Sequence, residues 1–85
     1  MKSSETYILF SNSLNRFYVG QTSNFTERFE RHNKSMVKST KRGTPWKLVV
    51  KFEVASRRES LALEKKIKGR GAKRYIEDNS IKFGM

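Results

Sequence analysis

The side chains able to do chemistry in this 85-residue chain are few, and their scarcity narrows the reactions open to it. There is no cysteine, which excludes thiol chemistry, disulfide staples and cysteine-based zinc sites. A single histidine, His32, excludes a histidine-rich metal cage. The acids are seven glutamates and one aspartate, Asp78, near the C-terminal end. No serine stands in a nucleophile-elbow pattern, and no glycine-rich loop of the phosphate-cradling kind is present. Catalysis, if any, draws on less usual groups.

Two tyrosines are the first of these. Tyr7 and Tyr18 sit in short runs, residues 6–10 and 16–20, rich in β-branched and aromatic side chains, with the turn formers Ser11-Asn12-Ser13-Leu14-Asn15 between them. That pattern predicts a β-hairpin. If Ser11 faces Arg16, or Phe10 faces Asn15, paired numbers sum to an odd total and both phenols share one face. Tyrosines also favour strands for packing reasons alone, so both readings stand. Arg28 and His32, four residues apart, share a helix side. There Phe25, Phe29, His32 and Met36 form an apolar stripe with His32 at its middle and Arg28 at its edge. A core histidine and a solvated arginine are the plainer account of that pair. Glu64 emerges within an apolar arc of Leu61, Leu63 and Ile67. Half-buried carboxylates are usually paired; Lys68, four residues on, is the partner at hand, and a ligand role is the alternative.

The elements that position these residues follow from the pattern around them. Thr22-Ser23-Asn24 offers caps for a helix beginning at Phe25. Residues 35–44 are polar, basic and glycine-containing, hence a loop, and Pro45 imposes an extended approach to a strand over 46–54. Ala55-Ser56 turns into a helix over about 57–68, stopped by Gly69 and Gly71, and 72–82 reads as a last, shorter helix. The order β-β-α-β-α-α makes an α/β (α+β) fold, a small antiparallel sheet with helices packed on it. One domain over residues 1–85 is expected, with no linker and no repeat. The longest N-terminal apolar run, residues 7–10, is too short for a signal segment or a membrane span, which favours a soluble, cytoplasmic protein with no membrane partner.

The charge is as uneven as the chemistry is sparse. The net charge is +11, and residues 31–51 carry seven bases and no acid. Residues 57–74 carry eight bases against Glu59 and Glu64. Two dense basic segments point to a polyanionic partner, and nucleic acid fits better than a lipid surface because neither segment has a broad apolar helical face.

Taken together, these residues resemble the GIY-YIG nuclease superfamily. The likeness is carried by Tyr7-Ile8-Leu9, by Tyr18-Val19-Gly20-Gln21-Thr22, and by Phe25, Arg28, His32 and Asn33 at their observed spacing. Thr44-Pro45-Trp46-Lys47-Leu48-Val49 and the segment Leu61 to Lys68 extend it, so that it spans about residues 6–70. The style is that of small stand-alone bacterial members related to the N-terminal domain of the excision-repair incision subunit. Two departures stand out: the glycine and isoleucine of the first motif are absent, and Gln21 occupies a place where repair-type members carry lysine.

The resemblance implies a three-stranded antiparallel sheet and a divalent-metal-dependent (Mg²⁺ or Mn²⁺) endonuclease acting on nucleic acid, DNA ahead of RNA, as in DNA repair. It matches Tyr7 and Tyr18 to the motif tyrosines, Arg28 and His32 to the helix arginine and histidine, and Glu64 to the metal-binding glutamate. Mg²⁺ keeps several waters and needs only one or two protein oxygens, so Glu64 alone is a sufficient anchor. Arg28 can donate in a fork to phosphate oxygens. A phenol with an ordinary pKa of about 10 needs nearby positive charge to act as a base. Such charge is expected to lower Tyr7 and Tyr18, which together position and deprotonate the attacking water; which of them takes the proton is open. His32 is expected to orient, relay a proton or bind phosphate. Lys34, Lys38, Lys41 and Arg42 of the loop, with Lys65, Lys66, Lys68, Arg70, Lys73 and Arg74, are expected to hold backbone phosphates without reading sequence. A monomer of low intrinsic specificity, with a possible helper protein, follows. The alternative is a non-catalytic basic DNA- or RNA-binding protein, or a ribosome-associated one.

Overall fold

Strand β1 (Ser4–Ser11) is buried along its whole length except at Glu5, because it is the middle strand of three. The computed structural model describes residues 3–82. β1 pairs antiparallel with β2 (Arg16–Thr22) on one side and with β3 (Trp46–Val54) on the other, giving the order β2-β1-β3. The hairpin turn closes through Asn15 at φ +52°, a left-handed conformation that asparagine tolerates. Both hairpin strands run slightly longer than the sequence pattern indicates.

Alternation along β1 divides the molecule into two layers. Tyr7 and Leu9 point to the side of helix α1 (Phe25–Asn33) and cluster with Phe25 and Trp46, against which Tyr18 and Phe29 pack. Ile8 points the other way and clusters with Val19, with Ile67 of α2 (Arg57–Arg70) and with Ile76 of α3 (Ala72–Asp78). Ile8, Leu9 and Ile67 are wholly excluded from solvent, each contributing roughly 1.5–3 kcal/mol relative to exposure. The polar end of β1 is satisfied from α2: Thr6 Oγ1 donates to the Ser60 carbonyl at 2.8 Å, and the Ser4 and Ser60 hydroxyls meet at 2.8 Å.

A bulge in β3 decides which layer receives Trp46. Val50 faces Ile8 but Leu48 faces Leu9, so Val49 is the extra residue. Without it, the period of two would turn Trp46 toward α2. With it, Trp46 enters the aromatic cluster on the α1 side.

Helix ends follow local chemistry. Asn24 Oδ1 accepts from Glu27 N–H at 3.2 Å, and Ser56 Oγ accepts from Glu59 N–H at 3.2 Å, capping α1 and α2. The stripe predicted to reach Met36 stops short: α1 ends at Asn33, and Met36 is 61% exposed. The Asn33 amide is committed to the start of β3, donating to the Trp46 carbonyl at 3.2 Å and accepting from the Trp46 N–H. Gly69 does not stop α2; a single helical glycine costs only about 1 kcal/mol, and the helix continues to Arg70. Gly71 ends it at φ +95°, its N–H bonding the Ile67 carbonyl at 2.8 Å. α3 closes at Asp78 rather than near residue 82. No described helix is long and apolar enough to cross a membrane.

Candidate active site

In the hairpin register Ser11 faces Arg16, Tyr7 faces Gly20 and Leu9 faces Tyr18. The two phenols therefore lie diagonally on the same face, ring centroids 6.3 Å apart. Gly20 provides the space for this: a Cβ there would stand 2.6 Å from the Tyr7 hydroxyl oxygen and 3.0 Å from the Tyr18 ring. Tyr-x-Gly is thus one phenol and the room required by the other.

Helix α1 supplies the next two groups. The Arg28 guanidinium interacts with both phenols, and its hydrogen bond to Tyr7 is the main cause of its raised pKa. Arg28 Nε is buried and has no hydrogen-bond partner among the described residues. His32, one turn on, is fully buried, with Nε2 at 2.9 Å from the Tyr7 hydroxyl and Nδ1 at 2.7 Å from Thr40 Oγ1. The Trp46 indole N–H donates to the Thr40 carbonyl at 2.7 Å, fixing the loop beneath the imidazole.

Burial dominates the electrostatics of this layer. The Tyr7 pKa is pushed up to about 12, chiefly by burial, and the lowering effect of Arg28 does not offset it. The expectation that surrounding positive charge would lower both phenols therefore fails for Tyr7. Burial, with the charge of Arg28 adding to it, holds His32 down at about 4, so the imidazole is neutral at physiological pH. Having no exposed surface, His32 also offers nothing to a phosphate.

Glu64 comes from α2, which packs on the opposite layer. Its side chain is 20% exposed and meets Lys68 Nζ at 3.2 Å. Its charge nonetheless reaches the Tyr7 phenol and contributes to raising that pKa. Of the two sequence alternatives for Glu64, a pair with Lys68 and a ligand role, the pair is present. Because Lys68 is largely exposed, the pair is worth at most about 1 kcal/mol and can yield the carboxylate to another cation. No group of three or more His, Cys, Asp or Glu side chains suited to a metal occurs among the described residues. A cation here would rest on one hard carboxylate with water and substrate oxygens around it. That donor set fits Mg²⁺ or Mn²⁺ and does not fit zinc.

The predicted phosphate-binding cations are spread more widely. Lys38, Lys41 and Arg42 are exposed on the loop that carries Thr40, and Lys65, Lys66, Lys73 and Arg74 are exposed on α2 and α3. Lys34 is engaged with Glu30 at 2.6 Å, and Arg70 holds Asp78 through two hydrogen bonds of 2.6 and 3.1 Å. Lys68 and Lys73 line a groove of about 450 Å³ beside Tyr18 at one end of the β2 edge. At the other end two overlapping depressions meet at Arg28. One, of about 640 Å³, includes Thr22, Ser23 and Arg31; the second, of about 450 Å³, includes Gln21 and Arg57. Arg31 and Arg57 were not among the expected contacts. Arg31 lies three residues beyond Arg28 on α1, a spacing that could have shown it; Arg57 reaches the groove only through the packing of α2.

A small antiparallel sheet clamped between helices, with paired tyrosines beside a helix arginine, is the arrangement that the resemblance implies. The chain belongs to the GIY-YIG family: the family model for the GIY-YIG catalytic domain matches residues 4–76. It is also similar to the solution NMR structure of the UPF0213 protein BH0048 from Bacillus halodurans. That likeness has a TM-score of 0.59 and 24% identity, covers 96% of this chain and 87% of that one, and concerns the fold alone. No curated protein matches the chain.

Proposed function

We propose that this chain is a metal-dependent endonuclease that hydrolyses phosphodiester bonds in DNA with little intrinsic sequence preference. The observation that carries the reading is the convergence of Tyr7, Tyr18 and Arg28 on one face of the hairpin, within electrostatic reach of Glu64.

Tyr18 is the phenol that meets substrate. It is half-buried and borders an open groove, whereas Tyr7 is 1% exposed and tied to His32. Once its own proton has passed to solvent, the Tyr18 phenolate positions the attacking water and accepts its proton, and the departing oxygen is protonated from solvent. Tyr7 stays protonated and, with Gly20, sets the place of the Tyr18 ring. Arg28 donates to the non-bridging oxygens, and its unpartnered Nε gains an acceptor as negative charge builds on phosphorus. Glu64 would hold the divalent cation, which supplies charge compensation at the phosphate when bound. Substrate phosphates lie along the β2 edge, between Lys68 and Lys73 at one end and Arg31 and Arg57 at the other. These contacts, with Lys38, Lys41 and Arg42 of the loop, grip the backbone without reading bases.

The test is cleavage of labelled duplex, flap, junction and single-stranded DNA, with RNA counterparts, in Mg²⁺, Mn²⁺ or EDTA. Tyr18→Phe and Glu64→Gln should each lower the rate by about a thousandfold or more, with unchanged circular dichroism. A folded Glu64→Gln protein that cuts at the wild-type rate overturns the reading.

A further inference from the structure

The hydrogen-bond chain behind Tyr7 ends in a way that assigns a role to a loop residue. Tyr7 Oη meets His32 Nε2 at 2.9 Å, His32 Nδ1 meets Thr40 Oγ1 at 2.7 Å, and Thr40 Oγ1 donates to the Val37 carbonyl at 3.3 Å. All three of Tyr7, His32 and Thr40 are buried, at 1% exposure or less. A neutral imidazole carries one proton, so two arrangements are conceivable.

Proton accounting separates them. If Nε2 bore the proton, it would donate to Tyr7, and the Tyr7 O–H would need another acceptor. His32 is the only acceptor within hydrogen-bond distance of that hydroxyl among the described residues, and Arg28 can only donate. A buried hydroxyl left without an acceptor is costly. With the proton on Nδ1, every donor is used: Tyr7 O–H to Nε2, Nδ1–H to Thr40 Oγ1, and Thr40 O–H to the Val37 carbonyl. The chain then ends on an amide carbonyl, which cannot pass a proton onward. It orients Tyr7 and does not drain it.

We infer that Thr40 is a positioning residue for the reaction: its hydroxyl fixes the Nδ1–H tautomer of His32 and thereby holds Tyr7 as a hydrogen-bond donor pointing inward. The Tyr7 lone pairs are then presented to Arg28, and the base function falls to Tyr18. The tautomer stands on geometry alone; the consequence for rate rests on the nuclease reading above. Thr40 also belongs to the loop that exposes Lys38, Lys41 and Arg42, so the segment proposed to grip phosphates is the one that sets the imidazole.

The experiment joins ¹⁵N NMR of the single histidine with single-turnover cleavage. In the wild type the imidazole should show a protonated Nδ1 and a bare Nε2. Thr40→Val removes the acceptor for Nδ1–H and should move the proton toward Nε2. Its kcat should fall about tenfold, the range seen when groups orienting a reactive side chain are removed, with KM nearly unchanged. Thr40→Ser, which keeps the hydroxyl, should restore both the nitrogen pattern and the rate, separating positioning from a packing defect. A wild-type imidazole protonated on Nε2 overturns the inference. So does a folded Thr40→Val protein with the wild-type rate, whatever its nitrogen pattern. If the wild type cuts no substrate, the nuclease reading fails and the nitrogen pattern alone decides the tautomer.

Discussion

The two faces of the sheet are built to different rules from one central strand. On the α2/α3 side, Ile8, Val19, Ile67 and Ile76 make an aliphatic cluster. On the α1 side, Tyr7, Tyr18, Phe25 and Trp46 pack beside a buried chain of polar groups, His32 and Thr40. The first is what burial of apolar area would select; the second buries a phenol, an imidazole and a hydroxyl that are tolerable only because each has a partner. Alternation along β1 lets a chain this short keep both, one side for cohesion and the other for a fixed arrangement of reactive groups.

Paired substitutions on the two faces test that division most strongly. Gly20→Ala puts a methyl 2.6 Å from the Tyr7 hydroxyl oxygen, which is hydrogen-bonded to His32. Cleavage should fall about a hundredfold, as expected when reacting groups are misplaced by around an ångström, while stability falls by only about 1–3 kcal/mol. Ile67→Ala, at a position with no solvent exposure, should cost about 2–5 kcal/mol and leave the rate per folded molecule unchanged. Urea unfolding and single-turnover cleavage on both variants separate the effects. A large loss of rate in Ile67→Ala with the fold intact would mean that the aliphatic side also shapes the site.

The next effect belongs to the polar chain alone. The folded-state pKa of His32 is about 4 against an ordinary value of 6.5. Below pH 6.5 the unfolded state takes up a proton that the folded state refuses, so stability falls as pH drops from 6.5 toward 4 and levels off below. The contribution reaches at most about 3 kcal/mol. Between pH 5 and 6.5, above the main range of carboxylate titration, the slope is largely that of this residue. His32→Gln, which keeps a polar side chain, should flatten it in urea denaturation across that window. An unchanged slope would show that the imidazole is not held neutral by burial.

Much of this was legible in the residues, and what was hidden has a physical reason. Strands and helices declare themselves by period and caps, and an odd-sum hairpin register was one that the turn formers allowed, but only the pairing of Ser11 with Arg16 puts Tyr7 and Tyr18 on one face. The end of α1 could not be read, because Asn33 stops it by bonding the Trp46 backbone, a contact made only in three dimensions. Nor could the bulge at Val49, which aims Trp46, or the role of Thr40, an ordinary loop threonine until His32 lies over it. The Tyr7 pKa was misjudged in direction for a related reason. Charge can be counted along a chain, but the depth of burial that outweighs it cannot.

The smallest predicted effects concern the edge of β2, where the two layers share one surface. Arg31 is exposed and 3.9 Å from Glu27, and Arg57 is exposed at the start of α2. If both touch backbone phosphates, Arg31→Ala and Arg57→Ala should each weaken binding modestly and lower the slope of log affinity against log salt by about 1. Measured on a Glu64→Gln background with Ca²⁺ present, binding is read without cleavage. The double variant should lower the slope by about 2, since separate phosphate contacts add. Neither change should alter the rate at saturating DNA, because Arg28, and neither of these two, is among the groups that act on the Tyr7 phenol. A slope unaffected by both would confine the substrate to the Lys68–Lys73 end and the basic loop. A loss confined to Arg57 would instead mean that the α2 side supplies the grip as well as the carboxylate, leaving α1 to the orientation of the phenols.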